Sequence, residues 1–194
     1  MHSPAPPPTE PPAPPPAASP RATLLWRRAA AYLLDIALLF ALLAPLAFLV
    51  KQLTGFAPET PAATWRLQLL EFSLPSWCYF AIADASARGA TLGKRLLGLR
   101  VVTAAGQRLA PGRAFARTAL KLLPWELSHL SAFALGDRFG ELTALQSSGL
   151  VVANLLALTW LLLALASRGA TSAHDRLVAT RVERVGRSLS DATR

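Results

Sequence analysis

Residues 27–51 read RRAAAYLLDIALLFALLAPLAFLVK, and this stretch decides the fold. From Ala29 to Val50 the only charged residue is Asp35. A helix rises about 1.5 Å per residue, so the run is about 33 Å long, enough for a hydrocarbon layer of roughly 30 Å. Arg27 and Arg28 flank one end and Lys51 the other. Pro45 is a helix breaker that a membrane helix tolerates. The reading is a transmembrane helix over 28–50.

The rest of the chain fits the same solvent. Of 194 residues, 53% are hydrophobic and 16% charged, against about a quarter charged in a typical soluble domain. This speaks against a wholly disordered chain and an ordinary soluble enzyme. The single Cys78 excludes an internal disulfide framework. A second apolar run, Leu67 to Ala83, predicts a span over 66–84; it carries Glu71 and Pro75, with Trp65, Trp77 and Tyr79 as interface anchors. A third segment, 114–135, is apolar but interrupted by Arg117, Lys121, Pro124, Glu126 and His129. A fourth, 149–167, is uncharged from Leu150 to Ala166. Ahead of these, Ser3 to Pro20 holds ten prolines in 18 residues, an extended, disordered tail over 1–22 rather than a cleavable signal. The membrane domain is thus expected over 23–186, with a C-terminal tail at 187–194. Between residues 85 and 113 the chain is basic and glycine-punctuated. It predicts a short helix over 92–98 and a strand at Leu99–Thr103. Residues 104–107 then turn the chain back through Arg108 and Leu109.

Charge sets the expected sidedness. The formal net charge is +9, from 20 Lys+Arg against 11 Asp+Glu. Sixteen of the basic residues fall in three groups: Arg21 with Arg27 and Arg28, seven from Arg88 to Arg117, and six from Arg168 to Arg194. Cytoplasmic flanks attract Lys and Arg, so all three groups are expected inside, together with both termini. Something between 114 and 149 must then cross, and the interrupted third segment is the candidate. Ionisable groups at a helix centre cost about 2.5–3.5 kcal/mol each, so this span needs its neighbours as cover. The alternative is an interfacial or re-entrant helix. No basic group is interleaved with stacking aromatics, which argues against nucleic acid. The expected partners are the bilayer, its anionic headgroups, and a second copy or another membrane protein.

The stretch Arg88-Gly89-Ala90-Thr91 recurs as Arg168-Gly169-Ala170-Thr171. Arg95-Leu96 and Arg100-Val101 recur as Arg176-Leu177 and Arg181-Val182, with one residue inserted after the threonine. Each copy follows an apolar run. Two parallel helix-pair units, each ending in a short helix and a strand, are expected, with strands near 100–102 and 180–182 pairing under the helices. The expected fold class is therefore an all-α membrane protein, a bundle of four transmembrane helices with a small cytoplasmic β element.

Several residues invite chemistry. Asp35 lies on the face of Arg28, about 10 Å deeper, where a carboxylate must pair, meet water or become neutral. Arg117 and Lys121 enter to a similar depth, so an Asp35–Lys121 or Asp35–Arg117 pair is expected. Glu71, Glu126 and His129 lie toward the other end and are expected to form a polar layer, holding a proton or cation or serving as packing glue. His174-Asp175 has no further ligands to make a metal site. With Ser172 as cap and Asp175 three residues on, it reads as a capping box. Gly89 to Lys94 is one residue short of a phosphate loop and has Arg95 where a hydroxyl is needed. No catalytic set, metal site or cofactor is expected.

Residues 28–35, 91–102 (TLGKRLLGLRVV) and 174–180 (HDRLVAT), with Lys121 to His129, resemble the RDD family of bacterial membrane proteins. The resemblance covers about residues 23–185. Arg28 and Asp35 match the arginine and first aspartate for which the family is named, and Asp175 is the candidate for the second. Gly93, Lys94, Arg95, Gly98 and His174 belong to the matching segments. Some relatives carry an aspartate seven residues after an arginine in the third helix, and here that position is Pro124. The resemblance implies an integral inner-membrane protein and transport of an unidentified ligand. A small transporter or an ion-coupled or proton-coupled module is the expectation, with a non-transporting scaffold or accessory subunit as the alternative.

Overall fold

The computed structural model describes residues 20–136, 142–167 and 171–185, with side chains from residue 24 onward. The proline-rich stretch up to residue 19, Arg138, Arg168 of the second repeat copy and the tail from 187 lie outside the described residues. The fold is mostly helical, with one two-stranded ribbon.

Helix α1 runs from Pro20 to Thr54, straight through Pro45. It ends where Gly55, at φ 64°, turns its N–H back to the Lys51 carbonyl, 2.9 Å, a left-handed cap that glycine adopts without Cβ strain. Helix α2 (Pro61–Gln68) starts at the Thr60 cap, whose hydroxyl accepts from Ala63 N–H at 3.1 Å. It continues through a π turn at Leu69–Ser73 into α3 (Leu74–Ala85). Leu74 N–H bonds the Leu69 carbonyl, five residues back. One extra residue in the turn absorbs the ring of Pro75, which has no N–H to give. Helix α5 (Pro111–His129) likewise passes into a π turn, Leu130–Ala134. Helix α6 (Ala144–Ala166) starts with a full capping box, Thr143 and Gln146.

Proline and glycine fix how α5 and α6 meet. Pro124 cannot donate to the carbonyl of residue 120, and that oxygen instead accepts from Trp160 Nε1 of α6 at 3.2 Å. Higher up, Gln146 Nε2 donates to the Ala132 carbonyl inside the π turn, 2.9 Å. A side chain at Gly149 would strike Ser131.

Two helices, over Leu24–Thr54 and Ala144–Ala166, are long and apolar enough to cross a membrane. Only 11% and 6% of their most apolar stretches are buried within the protein. A core helix of a water-soluble protein is mostly covered; these expose leucine after leucine, a patch far beyond what water tolerates. Helix α5 is the opposite. It buries Arg117, Thr118 and Leu122 against its neighbours, and so has the cover its charges require.

After α3 come α4 (Leu92–Leu96) and β1 (Leu99–Thr103); after α6 come α7 (Ala173–Leu177) and β2 (Thr180–Arg184). Each element of the second set starts 81 residues after its counterpart, Leu92 to Ala173 and Leu99 to Thr180. Thr91 and Ser172 are the caps, so the inserted residue falls before the cap: Thr91 corresponds in role to Ser172 rather than to Thr171. Gly98 at φ 63° and Ala179 at φ 52° make the same left-handed step into the strand. The strands pair antiparallel with Val101 opposite Val182, so corresponding residues face each other and a local two-fold passes between them. The fold-back after β1 is a tight turn, with Gly106 N–H on the Thr103 carbonyl, 2.9 Å, and Thr103 N–H on that of Gln107, 2.8 Å. The ladder partner of β1 is β2. Gly89 is required beneath β1, because a Cβ there would lie 2.6 Å from the Val101 carbonyl oxygen.

Two apolar clusters hold the fold. Ala31, Leu99, Val101, Leu109, Ala114 and Val182 join the ribbon to α1 and α5. Leu39, Phe80 and Leu122 join α1, α3 and α5.

Candidate functional site

Seven charged side chains meet between the helices and the ribbon. They come from α1 (Arg28, Asp35), α3 (Asp84), α4 (Lys94), α5 (Arg117, Lys121) and α7 (Asp175). Asp35, Asp84, Arg117 and Asp175 are at most 2% exposed.

Arg117 is the hub. Its Nη1 donates to Asp84 at 2.6 Å. Its Nε and Nη2 donate to one oxygen of Asp175 at 3.0 and 2.8 Å. Lys94 Nζ completes Asp84 at 2.5 Å, and Arg28 Nη2 completes Asp175 at 2.6 Å. The result is an alternating chain, Lys94–Asp84–Arg117–Asp175–Arg28, that ties five helices and two chain halves together. Asp175 also accepts from Ser172 N–H at 3.0 Å and the Ser172 hydroxyl at 2.7 Å, and from Thr180 at 3.2 Å. The expected capping box is therefore present, and the carboxylate that closes it serves the charge network as well.

Asp35 has a different task. It accepts from Tyr79 OH at 2.6 Å, Thr91 Oγ1 at 2.6 Å and Gly93 N–H at 2.8 Å. The carboxylate thus seats the first turn of α4 on α1. Gly93 must lack a side chain, since a Cβ would collide with the Ala31 carbonyl and lie 3.0 Å from Asp35 Cγ.

The expected pairing of Asp35 with Lys121 or Arg117 is not what forms. Arg117 is taken by Asp84 and Asp175, and Asp35 by three neutral donors. Lys121 Nζ instead lies over the Phe80 ring, 3.2 Å from its centroid, and 4.4 Å from that of Tyr32. Among the described residues it makes no hydrogen bond or ion pair, only these ring contacts. Asp35 and Lys121 line one cavity, but the rotation of α5 about its axis turns the ammonium to the rings rather than to the carboxylate. Asp84, Tyr79, Thr91 and Thr180 were missed as site residues. The signal for Asp84 was a lone acid ending an apolar run ten residues before Lys94.

Nor do Glu71, Glu126 and His129 gather into one layer. Glu126 accepts from Ser73 Oγ and Trp77 Nε1, both at 3.0 Å, and so fastens the first π turn to α5. Glu71 lines a separate cavity of about 480 Å³ with Phe48, Lys51 and Phe56. His129 Nδ1 lies 2.9 Å from the Trp125 carbonyl, with its ring on the Trp125 ring at 4.3 Å. Arg95 donates to the Ala90 carbonyl at 2.9 Å and braces the loop before α4. Among the described residues no three His, Cys, Asp or Glu side chains are grouped to hold a metal ion.

At the ribbon end the network is polarised. Burial alone would raise the Asp175 carboxyl, but Arg117 and Arg28 outweigh it and hold it far below the usual carboxylate range. Burial drives His174 well below its ordinary value, and Arg117 pushes the same way, so its ring is neutral at pH 7. Burial also draws Lys94 down, against the pull of Asp84. With every acid and base of the network ionised, four cations face three anions, and the surplus positive charge sits on Lys121.

Beside this network lies a cavity of about 510 Å³. Its polar end presents Arg28, Lys94, Arg117, Lys121, Ser172 and His174 together with one carboxylate, Asp35, and α6 supplies an apolar wall including Ala153, Ala157, Trp160 and Leu161. Lining residues Ala29 and Tyr32 on α1, and Asn154, Ala157 and Leu161 on α6, are exposed. The cavity is therefore open sideways, between α1 and α6.

The family model for the RDD family matches residues 22–179. No curated protein and no solved structure matches the chain. The chain belongs to the RDD family, a family of membrane-type proteins.

Proposed function

We propose that this RDD-family protein is a non-enzymatic transport module of the bacterial inner membrane, which takes an anionic ligand at the cavity beside Lys121. The observation that carries this reading is the half-buried ammonium of Lys121, which lies against ring faces and makes no ion pair among the described residues, and which lines an open cavity of about 510 Å³. A buried charge is costly unless paired, and a bound anion would complete the count.

In this reading all four long helical segments cross the bilayer. Residues 61–85 and 111–134, at about 1.5 Å per residue, each reach the roughly 30 Å of the hydrocarbon layer. Both termini and the ribbon lie in the cytoplasm, where the Arg-rich groups belong. Single cysteines at positions 56, 104, 140 and 188, after Cys78→Ser, are then labelled from outside, inside, outside and inside. A label reaching position 140 from the cytoplasm would remove the third crossing.

Transport is tested on proteoliposomes by solid-supported-membrane recording. The jumps are in protons, sodium and a panel of carboxylate and phosphate anions. Transient currents in the wild type that Lys121→Met abolishes support the reading. Silence to every jump in the wild type would overturn it.

One observation favours the accessory-subunit reading. Leu96 and Leu177, at corresponding positions of α4 and α7, are 75% and 66% exposed. A stoichiometric partner from native membranes, lost on Leu96→Glu with Leu177→Glu, would support it.

A further inference from the structure

The cavity has the wrong shape for a small hydrated ion. Its charged end lies at the network, but most of its wall is hydrocarbon, and its mouth faces the lipid rather than the ribbon side. Helix α1 packs on α4 and the first π turn, and α6 packs on α5, the second π turn and α7. The cavity is the space these packings leave between α1 and α6. The stripe Ala153, Ala157, Trp160, Leu161 and Ala164 recurs at helical spacing and faces into it. Four of the five are small or aliphatic enough for an extended chain to lie along them, and the mouth is wide enough that Ala157 and Leu161 remain exposed.

We propose that this cavity holds one anionic lipid from the leaflet nearest the ribbon. Its phosphate lies at Lys121 and Arg28, and an acyl chain runs out along α6 between α1 and α6. The inference deepens the transport reading and rests on the same site, naming the ligand as a membrane amphiphile rather than a solute from water. Charge decides the class. A zwitterionic headgroup brings its own cation to a site already one positive charge in excess, whereas a phosphate monoanion or phosphodiester anion neutralises it. The apolar wall decides the source. Free orthophosphate meets the same cations but leaves the α6 stripe uncovered.

Trp125 and Trp160 line the cavity, which provides the readout. The purified full-length protein in neutral detergent is titrated with lipid brominated on its acyl chains, as phosphatidylglycerol or as phosphatidylcholine, and tryptophan quenching is followed. Trp26, Trp65 and Trp77 are replaced by phenylalanine to restrict the signal. The wild type should prefer the brominated phosphatidylglycerol by about tenfold or more, the scale of one charge-assisted bond. Lys121→Met should remove that preference, and Lys121→Arg should keep it. Ala157→Phe fills the trough, keeps the charge and should weaken quenching by both lipids. Millimolar orthophosphate should not compete.

Equal quenching by the two lipids in the wild type would overturn the proposal. So would a preference that survives Lys121→Met, or full competition by orthophosphate, which would reassign the site to a free anion. Thermal unfolding of each variant identifies any that fail to fold, and the Lys121→Arg and Ala157→Phe pair then decides. Charge preference without current in the recordings above leaves the lipid site and removes transport; current without charge preference does the reverse.

Discussion

Replacing Arg117 with methionine tests the charge network at its hub. The side chain keeps its length but loses three hydrogen bonds, one to Asp84 and two to Asp175. Both carboxylates are at most 1% exposed, so water cannot replace the guanidinium. Each keeps one cation, Lys94 or Arg28. Removing one partner from a buried pair costs about 3–5 kcal/mol. For a protein of this size one kcal/mol moves the melting temperature by about 2–4 °C, so Arg117→Met should melt about 6–20 °C below the wild type. Lys121→Met, one turn along the same helix, provides the contrast. It loses only ring contacts of about 0.5–2 kcal/mol and relieves the burial of an unpaired charge, so its melting temperature should stay within about 4 °C. Both are measured by intrinsic fluorescence in one detergent, after size-exclusion chromatography. Asp84→Asn on the Arg117→Met background should cost less than the two single changes added, by about 1–3 kcal/mol. Equal melting of the two methionine variants, or strict additivity of the double, would refute the assignment of Arg117 as hub and Lys121 as surplus.

Three further outcomes follow from local geometry. Asp175 is depressed in the folded state, so its contribution is complete above the unfolded value, about 3.9, and falls away as the pH drops below it; the stability gap between wild type and Asp175→Asn should be flat from pH 8 to 5 and shrink below about pH 4. His174 is held neutral, so below its unfolded value of about 6.5 the unfolded chain takes up a proton that the folded one refuses; melting from pH 7 to 5 should fall in the wild type and fall less in His174→Gln. Gly93→Ala drives a methyl into Ala31 and Asp35, and overpacking of this kind costs about 1–3 kcal/mol; hydrogen exchange should show α4 loosened while α6 keeps its protection.

What could be read from the sequence was local. The α1 run, the strand at Leu99–Thr103 and the Ser172–Asp175 box each depend on residues within a few positions of one another, and all three stand where expected. The ribbon was also within reach, because the repeat supplied its second strand. The partners of Arg117 were not, since they lie 33 and 58 residues away in sequence. Choosing between Asp35 and Asp84 depends on how far α5 is rotated about its axis. A hydropathy run fixes the depth of a side chain but not its bearing, and the two π turns alter that bearing by inserting one residue each. The cue to the first was present in Pro75, but a proline does not say whether a helix will kink, bulge or, as at Pro124 in α5, let a neighbouring tryptophan take the stranded oxygen.

The ribbon's two-fold is local to the backbone. Because Val101 faces its own counterpart, either half alone carries an edge that fits a second copy of itself in register, the arrangement of a symmetric dimer. The charges around the ribbon do not share that symmetry. Lys94 and Asp175 occupy corresponding positions, yet one is a base and the other an acid, so a self-dimer of the first half would set lysine where the joined molecule needs aspartate. Within one chain the halves cannot exchange partners, and each carries the charge that the other lacks.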